Sequence, residues 1–63
     1  MTLREVLDHY GNAYAIGKTK HFTFGAPYYW IRLGYIPIKT QMRIEHLTGG
    51  RLRADLEHCK REG

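Results

Sequence analysis

Glycine and proline cut this chain into short pieces. Gly11, Gly34 and the Gly49-Gly50 pair each follow an apolar-patterned run, while Pro27 and Pro37 stand near the start of others. Pieces of this length are marginal as isolated helices, so they must stabilise one another around a shared core. The whole chain has 63 residues, a length at which folding buries only about 60% of the unfolded surface. Residues 1–63 therefore read as a single domain, too small to enclose a substrate pocket, and no catalytic residue is expected.

The first piece is a helix by every local signal. Thr2 and Glu5 have capping-box spacing, Leu3, Val6, Leu7 and Tyr10 form one apolar stripe, and Gly11 supplies the stop. Asn12 is a good cap for a second helix starting at Ala13, with Ala15, Ile16 and Gly17 facing inward. Tyr28 to Leu33 reads as a third helix ending at Gly34. Because Pro27 is tolerated only in a first turn, that helix is expected to begin near Gly25 or Ala26. The aromatic richness of this stretch leaves a strand as the competing reading.

Beyond Gly34 two patterns overlap. Read as strands, Ile36, Ile38, Thr40, Met42 and Ile44 alternate with polar residues, and Thr48-Gly49-Gly50 is a hairpin loop before Leu52, Ala54 and Leu56. Read as helices, Pro37 is the first helical residue, Thr40, Ile44 and Leu47 share a face, and Leu52, Leu56 and Cys59 line a short last helix. Proline near the start of a strand removes a ladder hydrogen bond, which favours the helical form. The expected fold is thus mostly α with four to five helices. The alternative is α+β, with three helices and a C-terminal β-hairpin over residues 36–58. In the helical form Ile38 and Met42 lie off the main stripe and are candidates for a dimer contact.

Charge is distributed unevenly. Ten Lys and Arg face six Asp and Glu, yet from His9 to Ile44 there are five basic residues (Lys18, Lys20, Arg32, Lys39, Arg43) and no acid. A single-signed block of this kind is the electrostatic footprint of a polyanion-binding surface, because each neutralised phosphate releases a counterion. The longest stretch free of Asp, Glu, Lys and Arg runs from His21 to Ile31, far short of the ~20 residues of a membrane span. The N-terminus is charged at once and lacks an apolar signal region. Cys59, the one cysteine, has no internal partner, which points to a reducing compartment.

The order of short helix, tight turn, second helix, aromatic-rich helix and Gly-x-Ile-Pro rests on three segments. These are Gly11-Asn12-Ala13-Tyr14-Ala15-Ile16-Gly17-Lys18, Trp30 with Gly34-Tyr35-Ile36-Pro37, and Ile44-Glu45-His46-Leu47-Thr48-Gly49-Gly50-Arg51-Leu52 with Ala54-Asp55. In that arrangement the chain resembles the phage Cro-type and prophage helix-turn-helix repressors over nearly its whole length. The resemblance implies a small lambda-repressor-like bundle that binds double-stranded operator DNA as a homodimer in the cytoplasm of a bacterial host, at the nucleoid. It implies no cofactor, metal, membrane or small-molecule substrate.

In such proteins the second motif helix enters the major groove. Carried across by position, the base-reading residues are Phe24, Gly25, Tyr28 and Tyr29. Asn12, Tyr14, Lys18 and Thr23 match backbone-contacting positions, and Arg32 and Lys39 extend the phosphate footprint. At the turn between the motif helices stand Lys20, His21 and Phe22, with the left-handed place falling on His21.

Other readings compete for the same residues. Six of the eight aromatics lie between residues 22 and 35. They read as core, with Trp30 and Phe22 its main members, or alternatively as a stacking platform for single strands. His9, His21, His46, His58 and Cys59 lack metal-ligand spacing, and Cys59 has no evident activating partners. The charge-mixed stretch from Glu57 to Gly63 reads as a fraying end. The main functional alternative to DNA binding is a protein-interaction module that docks through Tyr35, Ile38 and Met42.

Overall fold

Four helices account for the regular structure in the computed structural model, which describes residues 1–60. They are α1 (Leu3–Tyr10), α2 (Ala13–Lys18), α3 (Gly25–Leu33) and α4 (Ile38–Leu47). Among the described residues there is no strand, so the hairpin alternative for residues 36–58 is excluded.

The N-terminal signals operate as the pattern indicates. Glu5 N–H donates to Thr2 Oγ1 (3.1 Å) and Thr2 N–H to Glu5 Oε1 (2.9 Å), closing the capping box. The Thr2 backbone donor holds the Glu5 carboxyl below its usual range. Gly11 ends α1 at φ 105°, a conformation closed to most side chains, and its N–H reaches the Leu7 carbonyl at 2.7 Å. Asn12 follows at once, its Oδ1 accepting from Ala15 N–H (2.8 Å) to start α2. Two helices are thus joined by only two residues.

α3 opens at Gly25, which places Pro27 within its first turn, where the missing N–H costs no helical bond. Pro27 and Trp30 are buried, Ala26 packs against the core, and Gly34 ends the helix in the left-handed region at φ 85°. Pro37 caps α4 instead of occupying its first turn; its φ of −55° and extended ψ place it just outside the helix. Val6, Ile16, Trp30, Ile36 and Ile44 form the core together with Met1 and Leu52, and Leu3, Leu7, Tyr10 and Phe22 pack on its edge. Phe22 meets Trp30 edge to face at 5.3 Å, and Arg43 stacks its guanidinium 5.4 Å from the Phe22 ring centre.

Four further expectations need correction. Four of the expected four to five helices form; among the described residues the short last helix through Leu52, Leu56 and Cys59 does not. After Gly49 and Gly50 the chain runs irregularly to residue 60, with Leu52 in the core, Leu56 at 74% exposure and Cys59 half-buried. This segment is held by polar tethers: Leu52 N–H to Thr48 Oγ1 (3.2 Å) and Ala54 N–H to Glu45 Oε1 (2.7 Å). The fraying end beyond Glu57 is likewise anchored as far as His58; residues 61–63 of that stretch lie outside the described residues. The aromatic run is core only in part. Trp30 is buried and Phe22 and Tyr35 are half-buried, but Phe24, Tyr28 and Tyr29 are each more than half exposed, because the helical period turns them away from Trp30. The left-handed turn residue is Lys20 (φ 67°), one position before His21.

Gln41 is a node that the apolar patterning does not reveal. It is fully buried on α4, and its Nε2 donates to the carbonyls of Ile36 (2.7 Å) and His58 (2.9 Å). Its Oε1 accepts from the Met1 ammonium (3.0 Å) and from Asp55 N–H (3.1 Å). The same ammonium donates to the Arg53 carbonyl (2.7 Å) and to Asp55 Oδ2 (2.5 Å). Asp55 Oδ1 in turn accepts from His58 N–H (2.7 Å) and lies 2.8 Å from His58 Nδ1. The ammonium, followed by His58, holds the Asp55 carboxyl far below its ordinary range, and Asp55 raises the His58 imidazole.

Two outcomes follow. Gln41→Leu should lower unfolding free energy by about 3 kcal/mol, because it strands several buried partners at once. Total stability for a chain of this length is only about 3–9 kcal/mol, so urea melts should show a large loss of midpoint. A Gln41→Leu variant as stable as the parent would contradict this role. The Asp55–His58 link should also shape stability against pH. The depressed carboxyl stabilises the fold above about pH 4, and that contribution is lost as pH falls. The raised imidazole contributes fully below about pH 6.5 and loses its share as pH rises through the folded-state value. Thermal melts from pH 3 to 9 should therefore show both arms, and Asp55→Asn should flatten them.

Candidate nucleic-acid interface

α2 packs against both α1 and α3, and the α2–α3 corner carries most of the residues singled out from the sequence. Gly17 is the hinge of this corner. It is buried, and a Cβ built there would collide with the Phe24 ring at Cδ1 and Cε1. The absent side chain lets the ring of Phe24, just ahead of α3, approach α2 closely. Phe24 also meets Tyr14, with ring centres 5.7 Å apart and planes at 35°. Lys18 Nζ sits 5.5 Å above the Tyr14 ring. Tyr14, Lys18 and Phe24 thus form one continuous surface from α2 to the start of α3, although Tyr14 and Phe24 remain 58% and 53% exposed.

The outward arc of α3 continues that surface. Tyr28 lies one turn after Phe24, Tyr29 one turn after Gly25, and Arg32 one turn after Tyr28. Tyr28, Tyr29 and Arg32 are all exposed, and nothing lies near the open side of Gly25. Thr23 is exposed as well, and its carbonyl accepts from Ala26 N–H (3.1 Å), so the first turn of α3 effectively starts there. Asn12 is exposed at the start of α2 with its side-chain oxygen committed to the cap.

The corner therefore brings Tyr14, Lys18, Phe24, Gly25, Tyr28, Tyr29 and Arg32 onto adjoining parts of α2 and α3. Lys39, Ile38 and Met42 are set apart on α4. Lys39 is exposed, Ile38 half-buried and Met42 61% exposed. The sequence presents Gly17 as one of several inner positions and does not reveal that it seats Phe24. The available signal is a glycine within a six-residue helix, where alanine would otherwise be favoured by about 1 kcal/mol.

The remaining chemistry is sparse. Among the described residues no group of three His, Cys, Asp or Glu side chains could hold a metal ion. Among the described residues no helix is long and apolar enough to cross a membrane. An open depression bordered by Arg4, Tyr35, His58 and Lys60 lies at the ends of α1 and α3. Its imidazole is already engaged by Asp55. In comparisons with protein-family models, curated proteins and solved structures, the chain matches none of them.

The Gly17–Phe24 contact generates a sign-reversing test. Gly17→Ala should cost about 1 kcal/mol in the parent, because the methyl displaces the ring by more than helix propensity returns. In a Phe24→Ala background the same substitution should stabilise by about 0.5–1 kcal/mol. Urea unfolding of the four proteins measures both differences.

Proposed function

We propose that this chain is a sequence-specific, double-stranded DNA-binding regulator of the helix-turn-helix repressor type, with α2 and α3 as the motif and α3 in the major groove. The observation that carries the reading is the α2–α3 corner, an exposed face of aromatic and basic side chains on a stretch of chain without an acid. Such a face meets a polyanion without like-charge repulsion, and a helix is the element that fits the ~12 Å major groove. Phe24, Gly25, Tyr28 and Tyr29 are then the base-facing set. Asn12, Tyr14, Lys18 and Thr23 meet the backbone and fix register, and Arg32 and Lys39 add phosphate contacts.

The molecule measures 30 × 25 × 18 Å, less than one turn of DNA between half-sites (roughly 34–36 Å). A second copy is needed for a second half-site, and the apolar pair Ile38 and Met42 on α4 is its contact. Action is by occupancy: the protein covers an operator in the bacterial cytoplasm and blocks transcription, with no cofactor and no chemistry of its own.

Titration against palindromic duplex, random duplex and single strand at two salt concentrations tests this reading. Duplex binding that weakens steeply with salt and favours one sequence is expected. Equal and very weak binding to all three would sink it, and preference for the single strand would favour aromatic stacking instead. Lys18→Ala should weaken binding on every duplex and reduce the salt slope by about one unit. Loss confined to the preferred site would assign Lys18 to base contact.

A further inference from the structure

We infer that α3 recognises its site mainly through the C5-methyl groups of thymine, an inference that rests on the DNA-binding reading above. From His21 to Ile31 the chain contains no Asp, Glu, Lys, Arg, Asn or Gln. The first two turns of α3 therefore lack every side chain that makes bidentate contacts to guanine or adenine edges or accepts from cytosine. What the helix and its cap residue present outward is the Phe24 ring, the Tyr28 and Tyr29 phenols, the Ile31 side chain and a bare glycine.

The major groove offers these groups one apolar feature, the thymine methyl, which stands beside the O4 acceptor of the same base. A phenyl edge against the methyl and a phenol hydroxyl donating to O4 match both features of that base. Phe24 is suited to the first role because its ring packs against Gly17 and Tyr14 and is still 53% exposed. Gly25 beside it has nothing within 4 Å of where a Cβ would stand, which leaves room for the base edge to approach. Each phenol has a single polar atom and so cannot span two groups of a base edge as an amide or guanidinium does, so the methyl contact carries the difference.

The test begins with a site selected by the full chain from a random-sequence 20-base-pair duplex pool. That duplex is then remade with deoxyuridine for thymidine, which removes the methyl and leaves base pairing intact. Affinity should fall about fourfold for each contacted methyl, and about sixteenfold where a dimer reads two. In Phe24→Ala the thymidine-to-deoxyuridine ratio should drop towards one. Placing 5-methylcytosine where an unmethylated cytosine weakens the site should restore part of the binding. Equal affinity of the parent protein for both forms of the selected duplex overturns the methyl readout and leaves duplex binding standing. Failure to enrich any duplex overturns both.

Discussion

A buried amide with all of its hydrogen-bonding capacity used is what lets a chain this short close its core. Gln41 is fully buried on α4, where a polar side chain without partners would cost several kcal/mol. Each of its bonds instead joins a different part of the chain: the approach to α4 at Ile36, the C-terminal segment at Asp55 and His58, and the N-terminal Met1. Among the described residues no helix follows α4, so Met1 and Leu52 complete the core, and both are positioned next to this network. A fifth helix would direct the backbone groups of residues 53–58 inward to one another. The irregular segment frees them for Gln41 and the ammonium.

That arrangement also explains where the acids are. Glu5 closes the capping box, Glu45 accepts from Ala54 N–H, and Asp55 holds the ammonium and His58. These carboxylates are committed to helix ends and to the terminal network, away from the α2–α3 corner. Three of the six acids thus serve backbone and terminal donors, while Lys18 on α2 and Arg32 on α3 are exposed.

Local signals are legible in the sequence wherever one residue type decides one backbone state. The capping pair Thr2 and Glu5, the stops at Gly11 and Gly34, and the first-turn place of Pro27 are of that kind, and they account for α1 to α3. The stretch beyond Gly50 is not legible, because Leu52, Leu56 and Cys59 have helical spacing while the backbone follows bonds to residues far away in sequence. Gln41 is hidden for the same reason. Its burial depends on partners 5, 14, 17 and 40 positions away, which no periodicity contains. The left-handed place differs by one position: Thr19 keeps its backbone helical and bonds the Ile16 carbonyl, so Lys20 turns directly after it.

The aromatic run divides between core and surface over a few residues. Trp30 and Pro27 turn inward on α3, and Phe22 joins them from the preceding loop, while Phe24, Tyr28 and Tyr29 turn outward along the same stretch of chain. A small protein leaves that much aromatic surface in water at a cost in solubility, and a contiguous apolar patch of this kind marks a contact surface. Its stiffness matters as much as its composition. Phe24 rests on a glycine and a second ring, and phenols have few torsions to freeze, so little conformational entropy is lost when the face is covered. On the proposed DNA-binding reading, Lys18 and Arg32 at the flanks of this preorganised surface would supply the salt-dependent attraction common to all DNA, and the central rings would supply the fit to one site.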